Sequence, residues 1–394
     1  MRHVLLLSES IGTGHERAAS AIEEALLAAD PHVRVTRLNL LDTFRPRTAK
    51  VTRGLYVQAL ARTPKLWGRW YEWQRGKQWN GLSRLVVHHV LNKDVGAYVR
   101  HLAPDAVVCT HPLPACLIAQ LKSEGLDTRL CTVVTDYDLH GYWVHPHTDL
   151  YCVPLPQMRE EIRVRQGHEA DVEVTGIPIS PRFPEQLRET WLQPPLVRVG
   201  GKISLFEKSS CPKRVLISGG GLGVGVLPMV REIAESASFR AGEIEITVVC
   251  GRNRDLYREL CGVYGNTRRL RVLGYTHQMH RLMAEHDLLV TKPGGMTVSE
   301  ALAMRLPMVL YTPIQGQEHR NGQLMQERGV AYIASDPQEG VRLVHNLLRH
   351  DGERLRMIRN MDGLCHPRAA LFVADAVLVR SDSPVKNLVK IQAL

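Results

Sequence analysis

An alternation of strand-like and helix-like segments, which occurs twice along the 394-residue chain, sets the strongest limit on the fold. In each half, a short apolar run at residues 4–7 or 214–218 leads into a glycine-rich turn and then into a helix-like segment. Parallel strands need a long crossover connection, which is usually a helix. The pattern therefore predicts the α/β class, with two tandem units that are each built on a doubly wound parallel sheet.

Residues 181–212 interrupt the alternation because they are rich in residues that break regular structure. We interpret this segment as a linker between an N-terminal domain at 1–180 and a C-terminal domain at 213–375, with a tail at 376–394. Prolines occupy positions 181, 184, 194, 195 and 212, and two glycines follow each other at 200 and 201.

The composition predicts a folded protein of the cytoplasm. Hydrophobic residues make up 44% and charged residues 23% of the chain, which are ordinary values for a globular protein. No apolar run approaches the roughly 18 residues that span a bilayer, and the run after Met1 is too short for a signal peptide. The eight cysteines lack zinc-ligand spacing, so we expect buried, reduced thiols. The net charge of +10 favours anionic partners.

The loop at residues 292–295 has the strongest pattern for binding a ligand. In open parallel sheets, ligands bind beyond the C-terminal ends of the strands, and Lys-Pro-Gly-Gly here joins a strand to a helix. Glycines allow close approach to the backbone, and a helix start offers free N–H groups to an anion. Lys292 and the Thr297 hydroxyl would add phosphate contacts, and Glu300 could hold ribose hydroxyls. The alternative is a tight turn in which Ser299 and Glu300 cap the helix.

Two other loops follow strands. Residues 219–225 are rich in glycine but lack the Gly-Lys-Ser/Thr end of a P-loop, so we expect a wall beside a diphosphate rather than an ATPase site. His15 follows Gly12-Thr13-Gly14 at the start of a helix, whose dipole disfavours a protonated imidazole. His15 is therefore a candidate base, although capping the turn is the alternative. Arg17 stands in place of the third glycine of a dinucleotide fingerprint, which argues against a dinucleotide site.

Neither a metal site nor a covalent nucleophile is expected from the sequence. His88-His89 and His145-Pro146-His147 have no carboxylate or thiol partners at ligand spacing, so surface or packing roles are expected. No Gly-x-Ser-x-Gly motif occurs.

Residues 50–100 are unusually basic and rich in tryptophan. The stretch has ten Lys or Arg against two acids, and four of the six tryptophans. Trp67, Trp70 and Tyr71 fall on one helical face with Leu66 and are interleaved with basic residues. Aromatic rings at the headgroup level and cations against anionic lipids would anchor residues 55–80 to a membrane surface. Ordinary packing is the alternative. A similar composition also binds single-stranded nucleic acid, but we expect no nucleic acid partner here.

Several motifs occur in the order that is typical of one family. They are Gly12-Thr13-Gly14-His15-Glu16-Arg17-Ala18-Ala19, Thr135-Asp136-Tyr137, Trp143-Val144-His145, Thr175-Gly176-Ile177-Pro178-Ile179, Gly274-Tyr275, Lys292-Pro293-Gly294-Gly295-Met296-Thr297-Val298-Ser299-Glu300-Ala301 and Pro313-Ile314-Gln315-Gly316-Gln317-Glu318-His319-Arg320-Asn321. Through these motifs the chain resembles the diacylglycerol glycosyltransferases over about residues 10–375. This family includes the plant-type monogalactosyldiacylglycerol synthases and the bacterial processive glucosyltransferases.

The resemblance implies the GT-B architecture, in which two Rossmann-like doubly wound domains face a central cleft. The N-terminal domain would bind the acceptor and the C-terminal domain the nucleotide-sugar donor. His15 would be the base that deprotonates the acceptor hydroxyl. Implied donor contacts are Gly219, Gly220 and Gly221 beside the diphosphate, Gly274 and Tyr275 for the uracil, Lys292, Pro293, Gly294, Gly295 and Thr297 for the diphosphate, Glu300 for the ribose, and Gln317, Glu318 and Asn321 for the sugar. Implied acceptor or membrane contacts are Gly14, Asp136, Trp143, Trp67, Trp70 and Tyr71.

The implied reaction is an inverting, metal-independent transfer of glucose or galactose from UDP-glucose or UDP-galactose to diacylglycerol, which gives a β-glycosyl lipid on the inner face of the plasma membrane. The UDP-sugar is a co-substrate, and no cofactor is expected. Gln315 departs from the family, which often has a small residue or proline there, and this affects the choice of sugar. Three alternatives stay open: a UDP-N-acetylglucosamine transferase acting on a lipid-linked cell-wall precursor, a nucleotide-sugar epimerase, and a non-catalytic nucleotide-sugar sensor.

Overall fold

The described part of the chain contains two six-stranded sheets with helices and one two-stranded sheet. The predicted membrane contacts Trp67, Trp70 and Tyr71 lie outside it. The two large sheets confirm the predicted α/β class. The computed structural model describes residues 2–10, 13–52, 54, 93–166, 171–186, 197–199, 202–204, 212–223, 225–311 and 317–380.

The first sheet consists of six parallel strands in the order β2-β1-β3-β4-β5-β6. The strands are β1 His3–Ser8, β2 Arg34–Asn39, β3 Ala106–Cys109, β4 Arg129–Val133, β5 Leu150–Val153 and β6 Asp171–Val174. The helices around it are Gly14–Ala29, Leu40–Phe44, Lys93–Leu102, Pro112–Ser123 and Gln157–Gln166, with a 3-10 turn at Gly141–Trp143. The order in which the strands are added to the sheet reverses between β1 and β3. The loops that follow these two parallel strands therefore lie side by side.

The second sheet is also fully parallel and has the order β11-β10-β9-β12-β13-β14, which is the Rossmann order. The strands are β9 Lys213–Ser218, β10 Ile244–Val249, β11 Leu270–Leu273, β12 Leu288–Thr291, β13 Met308–Tyr311 and β14 Ala331–Ala334. The helices are Leu227–Glu235, Ala237–Arg240, Arg254–Tyr264, Met279–Glu285, Gly295–Ala303, Gln317–Glu327, Pro337–Arg349, Asp351–Met361 and Ala369–Arg380, with a 3-10 turn at Gly220–Leu222. Here the reversal lies between β9 and β12.

Three helices recur in the description of the site. We call Gly14–Ala29 the His15 helix, Gly295–Ala303 the Gly295 helix and Ala369–Arg380 the C-terminal helix. The His15 helix buries its alanine-rich face, from Ala18 to Leu26, against the first sheet and its neighbours. Short side chains on that face permit close packing of the helix, which fixes the position of its first turn at the end of β1.

The segment predicted to be a linker contains the third sheet. Its strands, β7 Val197–Val199 and β8 Lys202–Ser204, pair in antiparallel fashion. The first sheet ends at Val174 and the second begins at Lys213, and the boundaries drawn at 180 and 212 stay predictions.

The C-terminal helix returns from the second sheet to the first domain. Its buried residues, among them Val373 and Val377, pack in one apolar cluster with Val4 of β1 and Ile22 of the His15 helix. The sequence-based division assigned residues up to 375 to the C-terminal domain and the rest to a tail. The structure places this helix on the first domain instead, because its apolar residues pack beside the His15 helix and against the first sheet.

Two further observations concern the expectations from composition. Within the described ranges, no helix combines the length and the apolar character that crossing a bilayer requires. The seven described cysteines are free, and five of them are buried as expected, whereas Cys261 and Cys365 are partly exposed.

Candidate active site

The glycine-rich loops of the second sheet meet the start of the His15 helix at a cleft between the two domains. Parallel strands β9 and β12 are neighbours, so the loops that follow them lie side by side. The Thr291 hydroxyl joins them by donating a hydrogen bond to the Ser218 carbonyl oxygen over 2.7 Å. The cleft has a volume of about 320 Å³, and residues from both domains line it, including Thr13, Arg17, Gly221, Tyr275 and Glu300.

His15 occupies the first turn of its helix and is held by the loop after β3. Its Nδ1 lies 2.9 Å from the Thr110 carbonyl oxygen and 2.8 Å from the Thr135 hydroxyl oxygen. A carbonyl oxygen can only accept, so Nδ1 carries the hydrogen and Nε2 carries the lone pair. The Thr110 hydroxyl also donates to the His15 carbonyl oxygen over 3.0 Å. The imidazole is therefore fixed in the tautomer that a general base requires.

Desolvation keeps His15 neutral, although the residue is only partly buried. Desolvation lowers the pKa of His15 from 6.5 to about 4, and the hydrogen bond to Thr110 opposes this effect without overcoming it. We predicted a lowered pKa for His15 from the helix dipole, whereas in the structure desolvation is its main cause. The predicted direction is the same, but the main physical cause is different.

Aromatic and imidazole rings surround His15. The His111 ring meets it edge to face with centroids 4.7 Å apart, and the indole of Trp143 lies at 6.2 Å. His140 stands 5.9 Å from Trp143 on the other side. Burial lowers the pKa of His111 well below its usual value, and the neighbouring His15 and His140 lower it further. The structure thus places the predicted acceptor residue Trp143 beside the predicted base.

The other predicted acceptor residues of the described part also lie near this point. Asp136 is buried and directly follows Thr135, whose hydroxyl contacts His15. Gly14 faces the second domain, because a β-carbon added there would lie 3.3 Å from Met296 Cγ. Asp136 and Asp138 have the Asp-x-Asp spacing of a metal motif, which we had expected to be absent from the sequence. Over the described ranges, no group of three or more His, Cys, Asp or Glu side chains could hold a metal ion.

The predicted diphosphate loop points the start of the Gly295 helix at the first domain. Gly294 precedes the helix in an extended conformation and caps it without a side chain, so the first N–H groups are left for a ligand. A β-carbon added at Gly295 would lie 2.4 Å from the Thr135 carbonyl oxygen. Thr135 therefore contacts both the predicted base and the helix start. Thr297 is buried within the same helix.

Lys292 and Glu318, which were predicted to bind the diphosphate and the sugar, form an ion pair with each other. Both side chains are about a quarter exposed. Gly220 packs against this lysine, since a β-carbon added there would lie 3.2 Å from Lys292 Cε. Gly219 directly precedes Gly220 in this loop. The predicted glycine wall and the predicted phosphate lysine are thus adjacent.

Gly221 closes the glycine-rich loop onto the first domain. A β-carbon added there would lie 2.2 Å from the Thr13 hydroxyl oxygen. Its carbonyl oxygen accepts a hydrogen bond from the Arg252 N–H over 2.9 Å. The guanidinium of Arg252 lies 5.3 Å from the ring centre of Tyr275, which follows Gly274 at the end of β11 and is 44% exposed. Tyr275, one of the two predicted uracil contacts, therefore lies on the rim of the same cleft.

Glu300, the predicted ribose ligand, is paired with an arginine from the other domain. Its side chain is 1% exposed, and its Oε1 accepts from Arg17 of the His15 helix. Burial raises the pKa of Glu300, and the adjacent Arg17 opposes that rise. The second carboxylate oxygen, Oε2, is buried without a hydrogen-bond partner among the described residues. The sequence analysis noted Arg17 only as a departure from a glycine motif, because nothing local relates it to Glu300.

Asn321 connects the two domains. Its Oδ1 accepts from the Tyr137 N–H over 3.1 Å, and its Nδ2 donates to the Pro293 carbonyl oxygen over 3.1 Å. The Tyr137 hydroxyl lies 2.9 Å from that of Ser299. The predicted sugar contact of Asn321 would require exchange of these bonds. Gln317 begins the next helix, and its side chain lies outside the described atoms.

Two known protein families match the two halves of the chain. The sequence profile described as "Monogalactosyldiacylglycerol (MGDG) synthase" matches residues 15–179, and that of the "Glycosyltransferase family 28 C-terminal domain" matches residues 214–375. The processive diacylglycerol beta-glucosyltransferase of Bacillus subtilis is 29% identical over 97% of this chain and 96% of its own length. The protein of the same name from Staphylococcus carnosus is 29% identical over 92% and 89%.

Solved structures share the fold. MurG of Acinetobacter baumannii superposes with a TM-score of 0.61 at 15% identity and covers 96% of this chain and 100% of its own. The calicheamicin glycosyltransferase CalG4 gives a TM-score of 0.60 at 16% identity, with 97% and 100% covered. At such identities the likeness concerns architecture alone, and it confirms the GT-B arrangement of two Rossmann-like domains.

Proposed function

The chain belongs to the diacylglycerol glycosyltransferase family, and we propose on this premise that it transfers glucose or galactose from a UDP-sugar to the hydroxyl of diacylglycerol. The observation that carries the proposal is the meeting of His15 and the Gly295 helix at Thr135. It brings a neutral base of one domain next to an anion-binding helix start of the other. A donor bound to the second domain and an acceptor bound to the first domain would have their reacting atoms close to this contact.

The second domain would hold the donor. Glu300 would bind the ribose, Tyr275 would meet the uracil at the rim, and the diphosphate would lie between the glycine-rich loop and the Gly295 helix. Charge accumulates on the diphosphate as the glycosidic bond breaks. The helix N-terminus would stabilise that charge with N–H groups that are already oriented, and Lys292 would add its charge on leaving Glu318.

The first domain would hold the acceptor. The lone pair of His15 Nε2 takes the proton from the acceptor hydroxyl as its oxygen attacks the anomeric carbon. A single displacement inverts the configuration, so an α-linked UDP-hexose gives a β-glycosyl lipid and UDP. Trp143 and the ring of His111 exclude water around the base, which limits hydrolysis of the donor.

We also propose that the transfer needs no metal ion, because fixed positive groups, namely the helix start and Lys292, are available for the leaving diphosphate. Transfer by protein treated with EDTA should equal transfer by untreated protein. A loss of activity that added Mg²⁺ or Mn²⁺ restores would contradict this part of the proposal.

The acceptor requires the protein to work at a membrane, and we propose the inner face of the plasma membrane. The support is the basic, tryptophan-rich sequence of residues 50–100, which contains Trp67, Trp70 and Tyr71. Wild-type protein should sediment with vesicles that contain anionic lipid at low salt and remain in solution at high salt. Failure to sediment with anionic vesicles at low salt would refute the anchor.

The reaction itself is tested with purified protein, diacylglycerol vesicles and UDP-glucose, UDP-galactose or UDP-N-acetylglucosamine in parallel. We expect a β-glycosyl diacylglycerol from at least one of the two hexose donors. Vesicles without diacylglycerol serve as the control. Transfer from UDP-N-acetylglucosamine alone, or UDP binding without transfer from any donor, would contradict the proposal.

A further inference from the structure

Arg17 is a charged residue in the cleft to which the mechanism above gives no task. It lies on the His15 helix, and its guanidinium reaches across the cleft to Glu300 of the Gly295 helix. The Arg17 side chain is 33% exposed, whereas that of Glu300 is 1% exposed. The pair therefore joins a partly exposed cation of one domain to a buried acid of the other.

We propose that Arg17 binds the diphosphate of the donor, and that its pairing with Glu300 is the arrangement of the donor-free protein. The inference rests on the proposed function, in which Glu300 binds the ribose. When the ribose hydroxyls reach Glu300, they replace the guanidinium, and Arg17 turns to the phosphates. The acceptor domain thus contributes directly to donor binding.

The position of Arg17 places it within reach of the glycine-rich loop, which is predicted to lie beside the diphosphate. Its N–H donates to the Thr13 carbonyl oxygen over 3.2 Å, so Arg17 stands one helical turn from Thr13. Thr13 in turn touches Gly221 of the glycine-rich loop. Thr13, Arg17, Gly221 and Glu300 all line the same cleft. The long arginine side chain can therefore pass from the ribose side of the cleft to the phosphate side.

The second oxygen of Glu300 independently indicates a ligand. Oε2 is buried and makes no hydrogen bond to any described residue. A buried acceptor without a donor costs free energy, and native structures rarely keep one. A ribose hydroxyl would donate to this oxygen. Glu300 would then have its partner from the donor, and the guanidinium would be available for the phosphates.

The charge of the cleft favours this exchange. Four arginines line it, at positions 17, 37, 182 and 252, against three glutamates at 16, 24 and 300. Arg37 already pairs with Glu23, and Arg252 lies by Glu16 and the Tyr275 ring. A planar guanidinium binds phosphate oxygens through two hydrogen bonds at once. Lys292 from one domain and Arg17 from the other would hold the diphosphate between them and draw the domains together around it.

The test compares the binding of UDP with that of uridine, which has the ribose and the base but no phosphate. Both ligands are titrated by ligand-observed NMR into wild-type protein and Arg17→Gln. We expect Arg17→Gln to weaken UDP binding by roughly tenfold or more, which is typical of a lost charge-assisted hydrogen bond. Uridine binding should stay equal or become tighter, because the ribose no longer competes with the guanidinium for Glu300.

The matched control is Arg231→Gln, which removes an arginine from an ion pair with Glu259 between two surface helices. It should leave both affinities unchanged. If Arg17→Gln does not fold, Arg17→Lys decides, since it retains the charge but loses the planar fork: weaker UDP binding with unchanged uridine binding supports the inference, and unchanged UDP binding overturns it.

Two results for Arg17→Gln would overturn the inference. Equal or tighter binding of UDP would mean that Arg17 serves only to close the donor-free cleft. A parallel weakening of UDP and uridine would mean that Arg17 acts through the folding of the site. Both leave the proposed function intact, whereas wild-type protein that fails to bind UDP would contradict the proposed function itself.

Discussion

At the scale of single residues, His15 has a fixed tautomer and a lowered pKa, and these two properties have different structural causes. The Thr110 carbonyl fixes the tautomer, and burial among His111 and Trp143 lowers the pKa to about 4. The partners of His15 come from loops that are distant in sequence. Thr110 is 95 residues away and Thr135 is 120 residues away. His15 could be identified as a candidate from its motif, but its orientation could not be predicted, because neither partner is related to it by local spacing.

The pKa of His15 predicts the pH dependence of the reaction. The imidazole accepts a proton only when it is neutral, and it stays neutral until the pH falls to about 4. We therefore expect kcat/KM to show no loss near pH 6.5 and to decline only as the pH approaches 4. The measurement is kcat/KM for lipid transfer between pH 4 and 8. An acid limb centred near 6.5 would contradict the burial of this base.

The lowered pKa of His15 also makes the free energy of unfolding depend on pH. The unfolded chain binds a proton at the ordinary histidine pKa of 6.5, whereas folded His15 does so only near 4. Between these values the unfolded state holds more protons, so this residue lowers the free energy of unfolding as the pH falls from 6.5 towards 4. Above pH 6.5 both states are neutral and the contribution disappears.

Among the elements, the Gly295 helix depends on having no side chain at its start. Gly295→Ala would place a methyl group 2.4 Å from the Thr135 carbonyl oxygen, which is backbone and cannot move aside easily. We expect overpacking to cost roughly 1–3 kcal/mol of stability and to displace the helix start from His15. Transfer should fall roughly tenfold or more. Urea denaturation and the transfer assay measure the two effects.

Gly262→Ala is the matched control for that substitution. Gly262 lies in the helix Arg254–Tyr264, and a β-carbon there would meet no atom within 4 Å. Alanine should stabilise this helix by up to about 1 kcal/mol and leave transfer unchanged. If Gly295→Ala behaved like Gly262→Ala, the close contact between the two domains at Thr135 would be wrong.

How well a strand could be predicted from the sequence depended on the strength of its apolar pattern. Central strands such as Ala106–Cys109 and Leu288–Thr291 have continuous apolar runs, since both of their faces are covered, and such runs can be recognised in the sequence. The edge strands Asp171–Val174 and Ala331–Ala334 were not predicted. An edge strand is covered less, and Asp171–Val174 has only one buried residue, so its pattern is weak.

In the molecule as a whole, the C-terminal helix ties the end of the chain to the first domain. This return was not predicted, because its apolar face fits a core in either domain and only tertiary packing decides between them. Val373 is fully buried against the first domain, whereas Val379 on the same helix is 53% exposed. We expect Val373→Ala to lower the free energy of unfolding by about 2 kcal/mol, and Val379→Ala by less than about 0.5 kcal/mol.

Urea denaturation of the two valine variants measures that difference. The test concerns stability alone, because neither valine lines the cleft. Equal effects of the two substitutions would contradict the packing of this helix on the first domain. An equal loss would also mean that the burial of Val373 does not hold this helix on the first domain.

The two switch points of the parallel sheets explain why the site lies where it does. Each sheet opens its ligand edge where the strand order reverses, and the two edges face each other across the cleft. The loops could be predicted from the strand pattern, and their content from the motifs. The ion pairs at these loops could not be predicted. Lys292 pairs with Glu318 and Arg17 pairs with Glu300, and each pair joins separate segments of the sequence.

The assignment of His15 as the base is tested most directly by measuring transfer and UDP binding side by side in wild-type protein and His15→Ala, with diacylglycerol vesicles as the acceptor. The alanine removes the base but leaves the donor loops of the second domain untouched. We expect UDP affinity to stay near the wild-type value and transfer to fall by roughly 10²- to 10⁴-fold. Transfer at the wild-type rate by His15→Ala would contradict the assignment of the base and the mechanism built on it.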